Sequence, residues 1–138
     1  MKLIDNIKLK KRLKLQGKTH FIDSMNHALD GINYTLDHER NFKIEMIIAM
    51  LVIVAGFFFK VSKVEWLILL ITTSSVLVLE LVNTSIERCV DLITKDYQEL
   101  AKHAKDVSAG AVLLISIFSV CVGIIIFLPK ILEMIGVN

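Results

Sequence analysis

Apolar and polar residues are segregated into blocks along the chain. Charged residues concentrate in residues 1 to 45, 60 to 65 and 80 to 106 and at the C-terminal end, and three apolar blocks lie between them. The last block, Val107 to Leu128, has no charged residue and is long enough to cross about 30 Å of hydrocarbon as a helix. The pattern therefore predicts a membrane protein.

The two earlier blocks predict two further spans. Met46 to Phe59 is shorter than a usual span of about 17 to 25 residues, but Lys43 and Lys60 beside it can extend their ammonium groups to the interfaces. Trp66 to Val82 begins with a tryptophan, which is typical of a membrane interface. We predict one all-α domain over residues 1–138, with transmembrane helices at about 46–59, 66–82 and 107–128.

The region before the first span, residues 1–45, combines a basic arm with an amphipathic segment. Phe21, Met25, Ala28 and Ile32 recur at helical spacing and form one apolar stripe. Such a stripe is typical of a helix that lies on the membrane surface. The alternative is a stripe that only packs against the helix bundle.

Although 54% of the residues are hydrophobic, 22% are charged, and the positive charges indicate the orientation of the chain. Nine Lys and Arg residues precede the first span, two lie between spans one and two, four lie between spans two and three, and one follows. The positive-inside rule then places the N-terminus and residues 83 to 106 in the cytoplasm. This cytoplasmic segment is on the side of the membrane that contains ATP.

A polar stripe runs along the second predicted span and its cytoplasmic continuation. At about 100° per residue, Glu80, Asn83, Glu87 and Asp91 fall within an arc of about 80°. A carboxylate inside a bilayer costs roughly 3 kcal/mol or more, so Glu80 is a functional candidate. The alternative is a structural glutamate bonded to a neighbouring helix. An oligomer would cover the polar side chains, Glu80 among them, that three short spans expose.

Two further groups of charged residues flank the spans. Glu39 lies before the first span at the depth of Glu87, and two carboxylates from different helices can hold a hard divalent cation that also binds phosphate. Before the third span, Lys105 can neutralise phosphate charge, and Asp106 can either orient that lysine or accept a hydrogen bond from a nucleotide. The chain has no Gly-rich phosphate loop and no protein-kinase signature, so any ATP site must be built from side chains on helices.

Together these groups resemble the prokaryotic diacylglycerol kinase family of small trimeric membrane lipid kinases. The resemblance runs from about Phe21 to Pro129 and rests on four motifs: Ala28-x-x-Gly31, Glu39-Arg-Asn41-Phe, Glu80-x-x-Asn83-Thr-x-Ile-Glu87-x-x-x-Asp91 and Ala101-x-x-Ala104-Lys105-Asp106-x-x-Ala109-Gly110-Ala111. It implies an integral membrane three-helix bundle with an N-terminal amphipathic surface helix, assembled as a homotrimer. ATP is then the co-substrate, with Mg²⁺ as the metal.

The resemblance also implies a role for individual residues. Glu80 corresponds to the catalytic base, and Glu39 and Glu87 correspond to the magnesium ligands. Besides those two glutamates, the implied nucleotide contacts are His20, His27, Asn83, Asp96, Tyr97, Gln98, Lys105 and Asp106. The implied lipid contacts are Glu80, Asn83 and Ala109, and Asp91 continues the polar stripe. At His20 and His27 the proteobacterial members have an arginine and a tyrosine.

The resemblance is closest to the Gram-positive branch, through Lys63-Val-Glu65-Trp66 and Phe127-Leu-Pro129-Lys130, and this branch looks like undecaprenol kinase. We therefore expect a plasma-membrane enzyme whose partners are ATP, the bilayer and a lipid alcohol, without nucleic acid. Undecaprenol is the expected alcohol, and diacylglycerol is the alternative. An alternative of another class is a non-enzymatic membrane subunit or a proton-coupled transporter, which would have no use for the charged cytoplasmic groups.

Overall fold

Four helices make up almost all of the described chain. The structure is a computed structural model that describes the backbone of residues 2–136 and the side chains of residues 20–136. The helices are α1 (Lys2–His38), α2 (Arg40–Phe58), α3 (Lys63–Ile93) and α4 (Glu99–Met134). The described backbone contains no strand, so the all-α prediction is confirmed.

Three of these helices, α2, α3 and α4, are long and apolar enough to cross a membrane. They correspond to the three predicted spans, but each begins before its apolar block, and α3 and α4 also continue beyond theirs. In particular, α3 continues past Val82 to Ile93, and α4 begins at Glu99 rather than Val107. Hydrophobicity marks only the part that suits hydrocarbon, whereas backbone hydrogen bonding carries a helix on into polar sequence.

α3 contacts both α2 and α4. At the end remote from the polar stripe, a small core forms from Val61, Leu69 and Ile126. Ser62 caps α3 there, since its Oγ accepts the Glu65 N–H at 3.3 Å while the Glu65 carboxylate accepts the Ser62 N–H at 2.6 Å. Glu65 thereby helps to define where α3 begins.

The C-terminal end of α4 differs from the prediction. The sequence predicts that the span ends at Leu128, but the helix continues through Pro129 to Met134. A proline cannot donate the backbone hydrogen bond that its position would make. The last turns of α4 are nevertheless held against the start of α3, because the Lys130 ammonium lies 3.1 Å from the Glu65 carboxylate.

α1 forms a unit of its own, which ends where Glu39 leaves helical geometry at φ −106° and ψ 115°. The predicted apolar stripe lies within α1, and its large members Phe21, Met25 and Ile32 are 66%, 49% and 41% exposed. Their position on one helix is confirmed, whereas contact with the membrane surface stays a prediction. The side chains of the basic arm lie outside the described residues.

Candidate functional site

Glu80 is almost completely buried, with 3% of its surface exposed. Its burial follows from the position of α3, which contacts α2 as well as α4. The expectation that the three spans expose Glu80 is therefore wrong, since a single chain already covers it. A buried carboxylate in a helix that can cross a membrane is a candidate functional group.

Other carboxylates surround Glu80. Those of Glu39 and Glu87 lie close enough for their charges to act on it, and so does that of Glu45 on α2. One carboxylate oxygen of Glu45 is buried and has no hydrogen-bond partner among the described residues. Repulsion among carboxylates in one place is relieved either by protonation of one of them or by a bound cation. Glu45 lies six residues after Glu39 in the chain, but helical spacing alone did not indicate that it approaches Glu80.

Asn83 connects α3 to α4. Its Nδ2 lies 3.4 Å from the Glu87 Oε1, and its Oδ1 accepts a hydrogen bond of 2.7 Å from the hydroxyl of Ser108. Ser108 is buried, with 8% of its surface exposed. Because the amide oxygen is bonded to α4, the amide NH₂ is directed towards Glu87. Sequence analysis missed Ser108, and the signal for it is its position one turn after Lys105.

Asp91 and Lys105 form a second link between α3 and α4, beyond the apolar part of both helices. The Lys105 Nζ lies 2.5 Å from the Asp91 Oδ1. This hydrogen bond lowers the pKa of Asp91, and the charge of Arg88 contributes to the same shift. The expectation that Asp106 orients Lys105 is wrong: Asp106 lies 3.1 Å from Lys102, its neighbour one turn earlier on α4.

A groove of about 380 Å³ lies at the turn between α3 and α4. Five of the residues predicted to contact the nucleotide line it, namely Asp96, Tyr97, Gln98, Lys105 and Asp106. Asp91, the last residue of the polar stripe, lines it too, together with Lys95 and Lys102. The groove therefore combines cations for phosphate with an aromatic ring, which suits a nucleotide.

Three other predicted site residues lie outside this groove. His20 and His27 lie on α1, and both are exposed. Ala109 lies on α4, one residue after Ser108, and is also exposed. Their contacts with nucleotide and lipid stay predictions.

The predicted magnesium ligands form a small donor set. Glu39 directly precedes α2 and forms an ion pair with Arg88, and Glu87 lies on α3. Among the described residues, no group of three or more His, Cys, Asp or Glu side chains is arranged to hold a metal ion. Mg²⁺ is commonly held by one or two carboxylates and completes its coordination with water and phosphate oxygens. Two glutamates thus fit a magnesium ion that arrives with ATP.

The family follows from comparison with known proteins. Residues 26–127 match the prokaryotic diacylglycerol kinase family. This chain belongs to that family. It is therefore a multi-pass membrane lipid kinase with a lipid substrate and ATP as co-substrate. The alternative of a non-enzymatic subunit or a transporter is wrong.

Individual relatives differ in the lipid that their names specify. The undecaprenol kinase of Bacillus subtilis is 44% identical over 110 residues, which cover 80% of this chain and 89% of the relative. The diacylglycerol kinase of Synechocystis is 39% identical over 120 residues, covering 86% of this chain and 69% of the relative. The diacylglycerol kinase of Escherichia coli K12 is 29% identical over 104 residues, which cover 75% of this chain and 85% of the relative.

Proposed function

We propose that this protein transfers the γ-phosphate of ATP to undecaprenol and so makes undecaprenyl phosphate. The observation that carries the proposal is the polar stripe of α3, which runs from buried Glu80 to Asp91 at the edge of the charged groove. A hydroxyl held in the membrane and a nucleotide from the cytoplasm can meet along such a stripe. The 44% identity to an undecaprenol kinase supports a polyprenol, and diacylglycerol is the second candidate because other relatives bear that name.

Glu80 is the general base in this proposal. Its carboxylate takes the proton of the lipid hydroxyl, whose oxygen bonds to the γ-phosphorus as the bond from that phosphorus to the ADP oxygen breaks. The burial of Glu80 keeps water away from the reacting hydroxyl. The lipid headgroup then lies against Glu80, Asn83 and Ala109.

The remaining polar residues bind and orient the phosphates. Glu39 and Glu87 would hold Mg²⁺, which when bound would neutralise charge at the phosphate oxygens. Asn83, oriented by Ser108, helps to hold Glu87 in place. Lys105, held by Asp91 at the edge of the groove, offers a cation to the triphosphate.

The groove at the turn between α3 and α4 receives the nucleotide. Asp96, Tyr97, Gln98 and Asp106 contact it there, and a role of His20 and His27 in nucleotide binding rests on the family resemblance alone. The distribution of Lys and Arg supports a cytoplasmic N-terminus in the bacterial plasma membrane, with α1 as an amphipathic surface helix. The assembly is a homotrimer, which the family resemblance supports.

The test is a transfer assay with purified protein in mixed micelles. The protein is incubated with γ-labelled ATP, Mg²⁺ and either undecaprenol or diacylglycerol, and the extracted lipids are separated by chromatography. We expect labelled undecaprenyl phosphate, and no labelled lipid when a chelator removes the metal. No labelling of undecaprenol, with or without labelling of diacylglycerol, contradicts the proposed substrate.

A further inference from the structure

Arg88 reaches from α3 to the start of α2, where its guanidinium forms an ion pair with Glu39. Its side chain is 45% exposed, whereas that of Glu39 is 22% exposed. Arg88 does not belong to the polar stripe, since a helix turns by about 100° between Glu87 and Arg88. The long Arg88 side chain, which starts beside the stripe, nevertheless contacts the carboxylate of Glu39.

The ion pair conflicts with the proposed role of Glu39 as a magnesium ligand. A guanidinium carries only hydrogen-bond donors, and that of Arg88 contacts Oε1 of Glu39, one of the two carboxylate oxygens that a metal ion could use. Two cations at one carboxylate also repel each other. When Glu39 binds the metal, this repulsion favours movement of the Arg88 guanidinium to another anion.

The groups near Arg88 indicate which anion its guanidinium contacts after it leaves Glu39. Arg88 lies near enough to Asp91 for its charge to act on that residue, and Asp91 lines the groove assigned to the nucleotide. ATP brings several negative charges into that space. A planar guanidinium on a long stem can contact two phosphate oxygens at once.

We propose that Arg88 is a further nucleotide-contacting residue, which pairs with Glu39 in the metal-free protein and passes to the phosphates when the metal–nucleotide complex binds. The proposal rests on the proposed use of Glu39 as a metal ligand. In the empty protein, Arg88 offsets the repulsion among Glu39, Glu80 and Glu87. In the loaded protein, the metal replaces it at Glu39, and the guanidinium stabilises phosphate charge instead.

This exchange predicts that one substitution changes the affinity for the metal and the affinity for the nucleotide in opposite directions. In Arg88→Ala, Mn²⁺ used as a probe for the metal alone should bind several-fold more tightly, because no guanidinium competes for Glu39. A non-hydrolysable ATP analogue with Mg²⁺ should bind at least about tenfold more weakly, because a charge-assisted hydrogen bond is lost. Both affinities are measured by calorimetry on the protein in detergent, without lipid substrate.

Two further variants make the result interpretable. Arg88→Lys keeps the charge but not the planar fork, so it should restore the weak Mn²⁺ binding and recover only part of the nucleotide affinity. Arg40→Ala removes an exposed arginine next to Glu39 in the chain and should leave both affinities near wild type. If Arg88→Ala fails to fold by size-exclusion chromatography, Arg88→Gln is measured with the same expectations.

Any other pattern overturns the proposal. If Arg88 only holds α3 to α2, its removal should weaken the binding of both ligands or of neither. Transfer to lipid by the wild-type protein is measured separately, so absence of transfer contradicts the proposed function, whereas parallel changes in an active protein contradict only the role of Arg88.

Discussion

At the scale of single residues, Glu80 combines two properties that rarely occur together in a membrane helix. It is buried, and it lies within range of the charges of Glu39, Glu45 and Glu87. A carboxylate that served only to join two helices would be expected to have a cationic or hydrogen-bonding partner. The surroundings of Glu80 are instead acidic, which suits a site that a cation and a substrate complete.

We expect Glu80→Gln to abolish phosphoryl transfer while nucleotide binding stays within about twofold of wild type. The amide keeps the shape of the side chain but cannot accept the hydroxyl proton, and general-base catalysis is typically worth about 10²- to 10⁴-fold. Transfer is measured with labelled ATP and undecaprenol, and binding with a non-hydrolysable analogue. Retention of more than about a tenth of wild-type turnover would mean that another group accepts the proton.

The two cations near the stripe are held differently. Lys105 on α4 pairs with Asp91 on α3 across 2.5 Å, at the edge of the groove. Arg88 on α3 pairs instead with Glu39 before α2, and its side chain is 45% exposed. In the proposed exchange, Lys105 stays at the edge of the groove and Arg88 joins it only when the metal occupies Glu39.

At the scale of helices, the proposed function depends on the parts of α3 and α4 that continue past the apolar blocks. The apolar parts suit hydrocarbon, whereas the polar continuations hold Asp91, Lys105 and the groove between them. Because both parts belong to uninterrupted helices, the residues of the apolar part and those of the polar part keep a constant relative position. A flexible linker between them would not preserve that register.

The turn between α2 and α3 brings the two helices together closely. A Cβ placed on Gly56 would lie 2.6 Å from a ring carbon of Trp66, whereas nothing lies within 4 Å of one placed on Gly123 in α4. Gly56 therefore lets the backbone of α2 approach the Trp66 ring. Lys60, in the turn between α2 and α3, has a φ of 50°, which a residue with a side chain rarely adopts.

We expect Gly56→Ala to lower the free energy of unfolding by about 1–3 kcal/mol, because the methyl group must displace the Trp66 ring. Gly123→Ala, the matched control, should be neutral or stabilise the helix by up to about 1 kcal/mol. Thermal unfolding of both variants in one detergent gives the comparison. Equal stability of the two would show that the Trp66 ring shifts at no cost.

At the scale of the whole molecule, three spanning helices leave little room to enclose a long lipid. Large apolar side chains on α2 are widely exposed, for example Leu51 at 62% and Phe57 at 71%. Such faces suit contact with lipid chains or with other protomers. The lipid tail is therefore expected to stay in the bilayer, while the site recognises the hydroxyl and the first part of the chain.

This geometry predicts modest selectivity among lipid alcohols. Undecaprenol should be phosphorylated faster than diacylglycerol at equal mole fraction in mixed micelles, and both should be accepted to some degree. Mole fraction is the appropriate variable because enzyme and substrate share the lipid phase. A faster rate with diacylglycerol would make the substrate assignment wrong and leave the family and the transfer reaction unchanged.

The amino-acid sequence by itself determined the features that depend on neighbours within one segment. Runs of apolar residues located the three spans, and the helical period placed Glu80, Asn83, Glu87 and Asp91 on one face. Residues 96–98 and 105–106, which the family resemblance assigned to the nucleotide, lie close in the chain and line one groove. Such features follow from local geometry, because the positions of side chains on a helix are set by its pitch.

Only the tertiary structure decided the contacts between helices. Arg88 pairs with Glu39 across 49 positions, Ser108 bonds to Asn83 across 25, and Asp91 rather than Asp106 holds Lys105. The burial of Glu80 within one chain likewise depends on contacts between helices. These contacts depend on how far each helix is rotated about its axis and how far each side chain reaches, and neither quantity is contained in the periodicity of a single helix.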